Sequence, residues 1–163
     1  MRRVARAAAA AALLALAPSA QAQQFSCGLS AIGVVFGAYD TLAAAPTYGT
    51  GRVDVACTLF NPPPVDVAYT IALSPGASGS YAARTMLAGA FALQYNLYVA
   101  APPSISIWGN GSGTTQVVAG AVNLRPPPGR TTVVSHTVYG TIPARQDVAA
   151  GAYVDTIVVT LTF

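Results

Sequence analysis

The sequence predicts an all-β sandwich, and three observations carry that reading. No stretch after the first two dozen residues sustains the 3.6-residue period of an amphipathic helix. Seven or eight stretches instead alternate apolar and polar residues with the period of two that places successive side chains on opposite faces of a strand. Glycine or proline interrupts every run before a long helix could form, and the 12 prolines fall almost wholly in connections, where they also guard sheet edges.

Residues 1–22 are set apart as a secretory signal. Arg2, Arg3 and Arg6 form a positive start, Ala7 to Ala17 an apolar run of about ten residues, and Pro18-Ser19-Ala20-Gln21-Ala22 an A-x-A cleavage pattern. Cleavage is expected after Ala22. The apolar run is shorter than the roughly 20 residues a membrane-spanning helix needs, and no later stretch lacks polar residues for that long. Residues 23–163 are then expected to form one soluble, exported domain.

Within that domain, Leu29 to Phe36 is the first apolar stretch, and the proline- and glycine-bearing segment Leu42 to Gly51 reads as a loop. Strict alternation follows: Val53, Val55, Cys57 and Leu59 inward, against Arg52, Asp54, Ala56 and Thr58 outward. Asn61-Pro62-Pro63-Pro64 breaks that strand, and Val65, Val67, Tyr69, Ile71 and Leu73 face inward along the next. After the Ser74-Pro75-Gly76 turn, Arg84 to Leu87 reads as a short strand and Phe91, Leu93, Tyr95, Leu97 and Val99 as the inner face of a longer one. Ser106 to Gly113 is a glycine-dense turn, Val117 to Leu124 and Thr131 to Ile142 resume strand composition, and Gly151 to Phe163 reads as one complete final strand. In that last stretch Tyr153, Asp155, Ile157, Val159, Leu161 and Phe163 share a face. A segment so apolar needs neighbours on both edges, and nothing follows it in the sequence.

Charge and cysteine content exclude several function classes. Removing the three signal arginines takes the formal net charge from +3 to zero, so the basic balance is a targeting artefact. The remainder has no Lys, no Glu and no basic cluster, which argues against a nucleic-acid surface. Cys27 and Cys57, in an exported chain and without a C-x-x-C spacing, read as a structural disulfide closing a loop of about 30 residues.

Catalytic machinery is hard to assemble from these residues. The single histidine, His136, alternates in phase with Val134, Val138 and Ile142 and reads as a packed or groove-facing strand position rather than a general base. Ser78 and Ser112 lie in glycine-rich turns but not in the context of a nucleophile elbow, and the turn at Trp108 to Gly113 lacks the lysine and helix of a phosphate cradle. A glycosidase would need two of the five Asp residues; Asp155 reads instead as a hydrogen-bonding or ion-pairing group near an edge. Neither a metal site nor a cofactor is expected. Trp108 and the eight tyrosines read mostly as core or rim packing, with a carbohydrate or adhesion surface as the competing reading.

Several fragments then fall into one order: Cys27, Phe36-Gly37-Ala38-Tyr39-Asp40, Gly51 to Cys57, Leu73 to Gly76, Arg84-Thr85-Met86, Leu93 to Tyr98 with Tyr95 and Tyr98, Trp108-Gly109-Asn110-Gly111, Val138-Tyr139-Gly140-Thr141-Ile142-Pro143, and Gly151-Ala152-Tyr153-Val154-Asp155-Thr156. In this order the chain resembles the spore coat protein U domain family, which includes subunits of Csu-type archaic chaperone-usher pili. The resemblance implies an incomplete immunoglobulin-like sandwich that lacks its last strand. It also implies an apolar groove filled first by a periplasmic chaperone and then by a strand from a neighbouring pilus subunit, with an outer-membrane usher as a further partner. On that basis Ile157, Val159, Leu161 and Phe163 are expected to line the groove or core, with the terminal carboxylate held by basic chaperone residues.

The start of the domain departs from the pattern. Only Gln23 to Ser26 separate the expected cleavage site from Cys27, and four residues reach roughly 13 Å, short of a strand of about 17 Å. The chain is therefore expected to accept a strand but donate none, as a terminal or minor structural subunit used in adhesion and biofilm formation. A secreted coat protein and a carbohydrate-binding periplasmic domain are the competing readings.

Overall fold

A computed structural model describes residues 23–163; the expected signal segment lies outside the described residues. Eight strands appear among them: β1 (Phe25–Val35), β2 (Thr47–Leu59), β3 (Val65–Leu73), β4 (Arg84–Ala88), β5 (Phe91–Tyr98), β6 (Val118–Leu124), β7 (Thr131–Ile142) and β8 (Val159–Thr162). A 3-10 turn at Gly76–Ser78 is the one helical element described. The strands form two antiparallel sheets, ordered β1-β2-β7-β5-β4 and β6-β3-β8. This is the all-β sandwich that the alternation predicts, in the immunoglobulin-like form that the family resemblance implies.

The core lies between the sheets. Val53, Val55, Cys57 and Leu59 of β2 are buried from one side and Val67, Tyr69, Ile71 and Leu73 of β3 from the other, as their period-two patterns require. Cys27 and Cys57 are directly opposed Cα partners on β1 and β2 and are disulfide-bonded. Strand β7 matches its expected bounds residue for residue.

Three expectations need correction. The expected loop Leu42 to Gly51 is strand from Thr47 onward, because its glycines serve a close approach rather than a turn. A Cβ at Gly51 would lie 2.6 Å from the carbonyl oxygen of Ile32, and one at Gly49 would lie 2.5 Å from that of Val35. Bare backbone there lets β1 ride over β2 where their register shifts between Ile32 and Val35.

The other two concern Phe91 and the last stretch. Phe91, on the apolar face of its strand, is 55% exposed, because it pairs with Ala88 at the tip of the β4–β5 hairpin. Trp108, read with the tyrosines as mostly core or rim packing, is fully buried. The final stretch is not one continuous ladder: only Val159–Thr162 pairs with β3, while Val154 makes an isolated antiparallel bridge to Leu87 at the edge of the other sheet. The side chain of Asp155 takes the backbone N–H groups of Ala77 (2.9 Å) and Thr156 (2.8 Å), which carries the chain from one sheet edge across to the other.

Candidate functional site

The crossing leaves an opening along one side of the sandwich. Strand β1 ends one sheet and β8 ends the other, and each is laddered on one edge only, to β2 and β3 respectively. An apolar cavity of about 280 Å³ lies between them, walled by Ala31 to Val34 on one side and by Tyr153, Ile157 and Val159 on the other. Its floor is core: Val53, Leu73, Met86, Tyr95, Leu97 and Val138. At one end the rings of Phe25 and Phe163 meet with centroids 6.0 Å apart. At the other the cavity adjoins a second hollow of about 650 Å³, with Val34, Met86 and Tyr153 shared between the two.

Ladder geometry fixes which backbone groups face this groove. Ser74 N–H donates to Val158 O (2.9 Å), continuing the β3–β8 register of Leu73 with Val159. Val158 therefore directs its backbone toward β3, and by alternation Ile157, Val159 and Leu161 direct theirs away from β3, toward the opening. On the facing wall Phe60 N–H donates to Gln24 O (2.8 Å), and the 4.1 Å Cα separation of Cys27 and Cys57 is that of a non-hydrogen-bonded pair. Cys27, Leu29 and Ala31 thus aim their backbone groups outward as well. The groove is an apolar floor between two rails of unladdered amides, the arrangement that receives an extended strand.

Polar clips hold the terminal segment along its rail. Asp155 Oδ2 accepts from the Tyr95 hydroxyl (2.7 Å), and burial, with this carboxylate second, pushes the Tyr95 pKa well up. Arg84 is fully buried and spends its donors on neutral oxygens: Ser74 O from Nε (3.2 Å) and Nη2 (2.9 Å), Asn96 Oδ1 (2.8 Å) and Trp108 O (2.7 Å). The Tyr81 ring lies 5.2 Å from the guanidinium, and burial pulls the Arg84 pKa down.

Of the sequence-predicted residues, some border this opening and others lie elsewhere in the fold. Ile157 and Val159 line the cavity, Leu161 is half-buried against the core, and Phe163, 61% exposed, closes the end against Phe25. Phe36 packs edge-on to Tyr95 (5.9 Å) and covers Gly140, where a Cβ would stand 2.5 Å from the ring. Gly37 follows in the turn. The Tyr39 hydroxyl donates to Pro143 O (2.8 Å) and accepts from Gln146 N–H (2.8 Å), tying the two loops at this end together. Tyr98 and Tyr139 are Cα partners on the outer face of the larger sheet. Gly109 is buried and donates to Gln116 O; Gly151 is exposed, beside Ala88. The Tyr153 hydroxyl donates to Ala149 O (2.8 Å).

The competing carbohydrate reading of Trp108 falls, and His136 takes the packed position expected of it. The Trp108 indole donates from Nε1 to Ile71 O (2.9 Å) inside the core, so it offers no face to a sugar. His136 joins the sheets, its Nε2 2.7 Å from the Tyr69 hydroxyl, and burial lowers its pKa. Among the described residues no group of three His, Cys, Asp or Glu side chains is placed to hold a metal ion.

Comparison with known proteins bears on this geometry. The Spore Coat Protein U domain model matches residues 11–160. The chain belongs to the spore coat protein U domain family. It is 33% identical over 135 residues to Protein U of Myxococcus xanthus, covering 78% of this chain and 70% of that one. The fold of this spore coat protein U domain is similar, at 22% identity and a TM-score of 0.52, to a chain of the CsuC–CsuE chaperone–tip adhesion subunit pre-assembly complex from the archaic chaperone-usher Csu pili of Acinetobacter baumannii. The match takes in 85% of this chain and spans 40% of the length of that one.

Proposed function

We propose that this chain is an exported, non-enzymatic structural subunit of a chaperone-usher surface pilus, completed by a strand from another protein laid into the groove between β1 and β8. The observation that carries the reading is the apolar floor flanked by outward-facing amides of Ile157, Val159 and Leu161. A strand supplied there would pair with both rails and cover the floor in one step, first from a periplasmic chaperone and then from a neighbouring subunit.

The same reading makes it a strand acceptor that donates none. Gln23 and Gln24 are already spent within the domain: Gln23 O accepts from Asn61 Nδ2 (3.2 Å), Gln24 O accepts from Phe60 N–H, and Gln24 Nε2 donates to Pro63 O (2.8 Å). On cleavage after Ala22 no free segment would remain to lend, which suits a terminal or minor position in a fibre. Mass measurement of the exported protein's first residue tests that step, and a start many residues upstream of Gln23 would overturn it.

A photo-crosslinking residue at Ile157 tests strand acceptance directly. The expected product joins Ile157 to an alternating apolar segment of a chaperone or pilus subunit; an exported monomer giving no such product would refute the proposal. A non-fibrous coat role is the second reading, favoured by the family's description, and immunolabelling of the protein on a spore layer instead of thin surface fibres would select it.

A further inference from the structure

We infer that Arg84 is a positioning residue for the strand-accepting edge: by holding the Ser74 carbonyl out of the β3–β8 ladder, it makes the Ser74 hydroxyl serve as the ladder's last rung. The inference rests on the strand-accepting reading above and concerns how the rail is held in line.

The register shows the substitution. In a hydrogen-bonded antiparallel pair each residue gives its N–H to the other's carbonyl. Ser74 and Val158 make only half of that exchange, Ser74 N–H to Val158 O at 2.9 Å. The returning bond, from Val158 N–H, goes to Ser74 Oγ at 2.9 Å. The Ser74 carbonyl is occupied elsewhere, accepting Arg84 Nε at 3.2 Å and Nη2 at 2.9 Å. A fully buried guanidinium also fixed by Asn96 and Trp108 cannot follow the carbonyl back toward β8.

The consequence falls on the rail. With its carbonyl held, β3 can turn away at Pro75 into the Gly76–Ser78 turn while Val158 stays aligned with the ladder. Ile157, the next residue outward, therefore keeps its backbone aimed at the groove, and the same turn presents Ala77 N–H to Asp155 at the far end of the crossing. A sequence that ended the ladder at Leu73 and Val159 would leave Ile157 unaligned and shorten the rail to Val159 and Leu161.

Site-resolved amide exchange on the exported chain at low micromolar concentration, with no partner strand present, tests this. Ser74→Ala is expected to speed exchange of the Val158 amide on the order of tenfold relative to Val138 in β7, the scale of one lost hydrogen bond, and Ser74→Thr to keep the parental rate. In an Arg84→Met background the released carbonyl should take the bond, and Ser74→Ala should then change nothing. An unchanged Val158 rate in Ser74→Ala alone would overturn the inference; exchange rising equally in β3, β7 and β8 would do so too, showing only general destabilisation. If Arg84→Met does not fold, the Ser74→Ala and Ser74→Thr pair still decides. Loss of the Ile157 crosslink with the exchange effect intact would count against strand acceptance and leave the rung in place.

Discussion

At Arg84 a full positive charge sits in the sandwich with only neutral oxygens for partners, and nothing in its local sequence marks it. Arg84-Thr85-Met86 reads as a short strand, which it is, but alternation alone makes no distinction between an arginine at a solvated edge and one enclosed by Ser74, Asn96 and Trp108. Trp108 stands in a glycine-dense segment that reads as a turn, and the Leu97 and Gln116 backbones draw that segment inside. Trp108→Ala should therefore destabilise the fold by about 3–5 kcal/mol in denaturant titration, as a large core truncation does. His136 carries a pH prediction. Burial lowers its pKa below the usual 6.5, so the folded chain keeps it neutral where the unfolded chain already binds a proton. Stability is then full above about pH 6.5 and falls as pH drops through the folded-state value. Melting temperature measured from pH 7.5 to 4.5 should show this decline, and His136→Gln should flatten it.

The strands themselves were largely readable, since burial on one face only imprints a period of two; β7 and the inward faces of β2 and β3 follow it directly. The terminal stretch obeys it as well, with Tyr153, Asp155, Ile157, Val159 and Leu161 all on the more buried face, although only four residues are laddered. Periodicity reports which way side chains point, not which sheet supplies the hydrogen bonds, and so the passage between sheets at Asp155 to Val158 left no trace in it. Glycine content misled at Thr47 to Gly51 because close approach and turning demand the same residue. Gly140→Ala, which would push a methyl group into the Phe36 ring, should cost about 1–3 kcal/mol by chemical denaturation, whereas Gly28→Ala, where a Cβ meets nothing within 4 Å, should be tolerated. Val159→Asp should abolish strand capture at the Ile157 crosslinker, because a charge on the groove wall would have to be desolvated when the strand arrives.

Across the whole molecule, an open apolar groove and a formal charge of zero on residues 23–163 act together: little electrostatic repulsion keeps copies apart while an exposed edge invites pairing. Light scattering of the lone chain should therefore show concentration-dependent association, relieved when the groove is filled; a monodisperse monomer at high concentration would contradict the open-groove picture. The Cys27–Cys57 bridge should add roughly 3–4 kcal/mol by closing a 30-residue separation, read as a drop in denaturation midpoint upon Cys57→Ser. That bridge also has a mechanical meaning. It lies at the third residue of β1 and leads straight into β2, which is flanked on both sides in its sheet. Tension applied at the amino end would peel only Gln23 to Ser26 before passing covalently into the sheet's interior, bypassing the segment between the cysteines. In a single-molecule pulling experiment the oxidised domain should release about 100 Å less chain than the reduced one, since 30 residues at roughly 3.5 Å each stay out of the load path. The disulfide thus makes the domain short and stiff against any pull applied at its amino end.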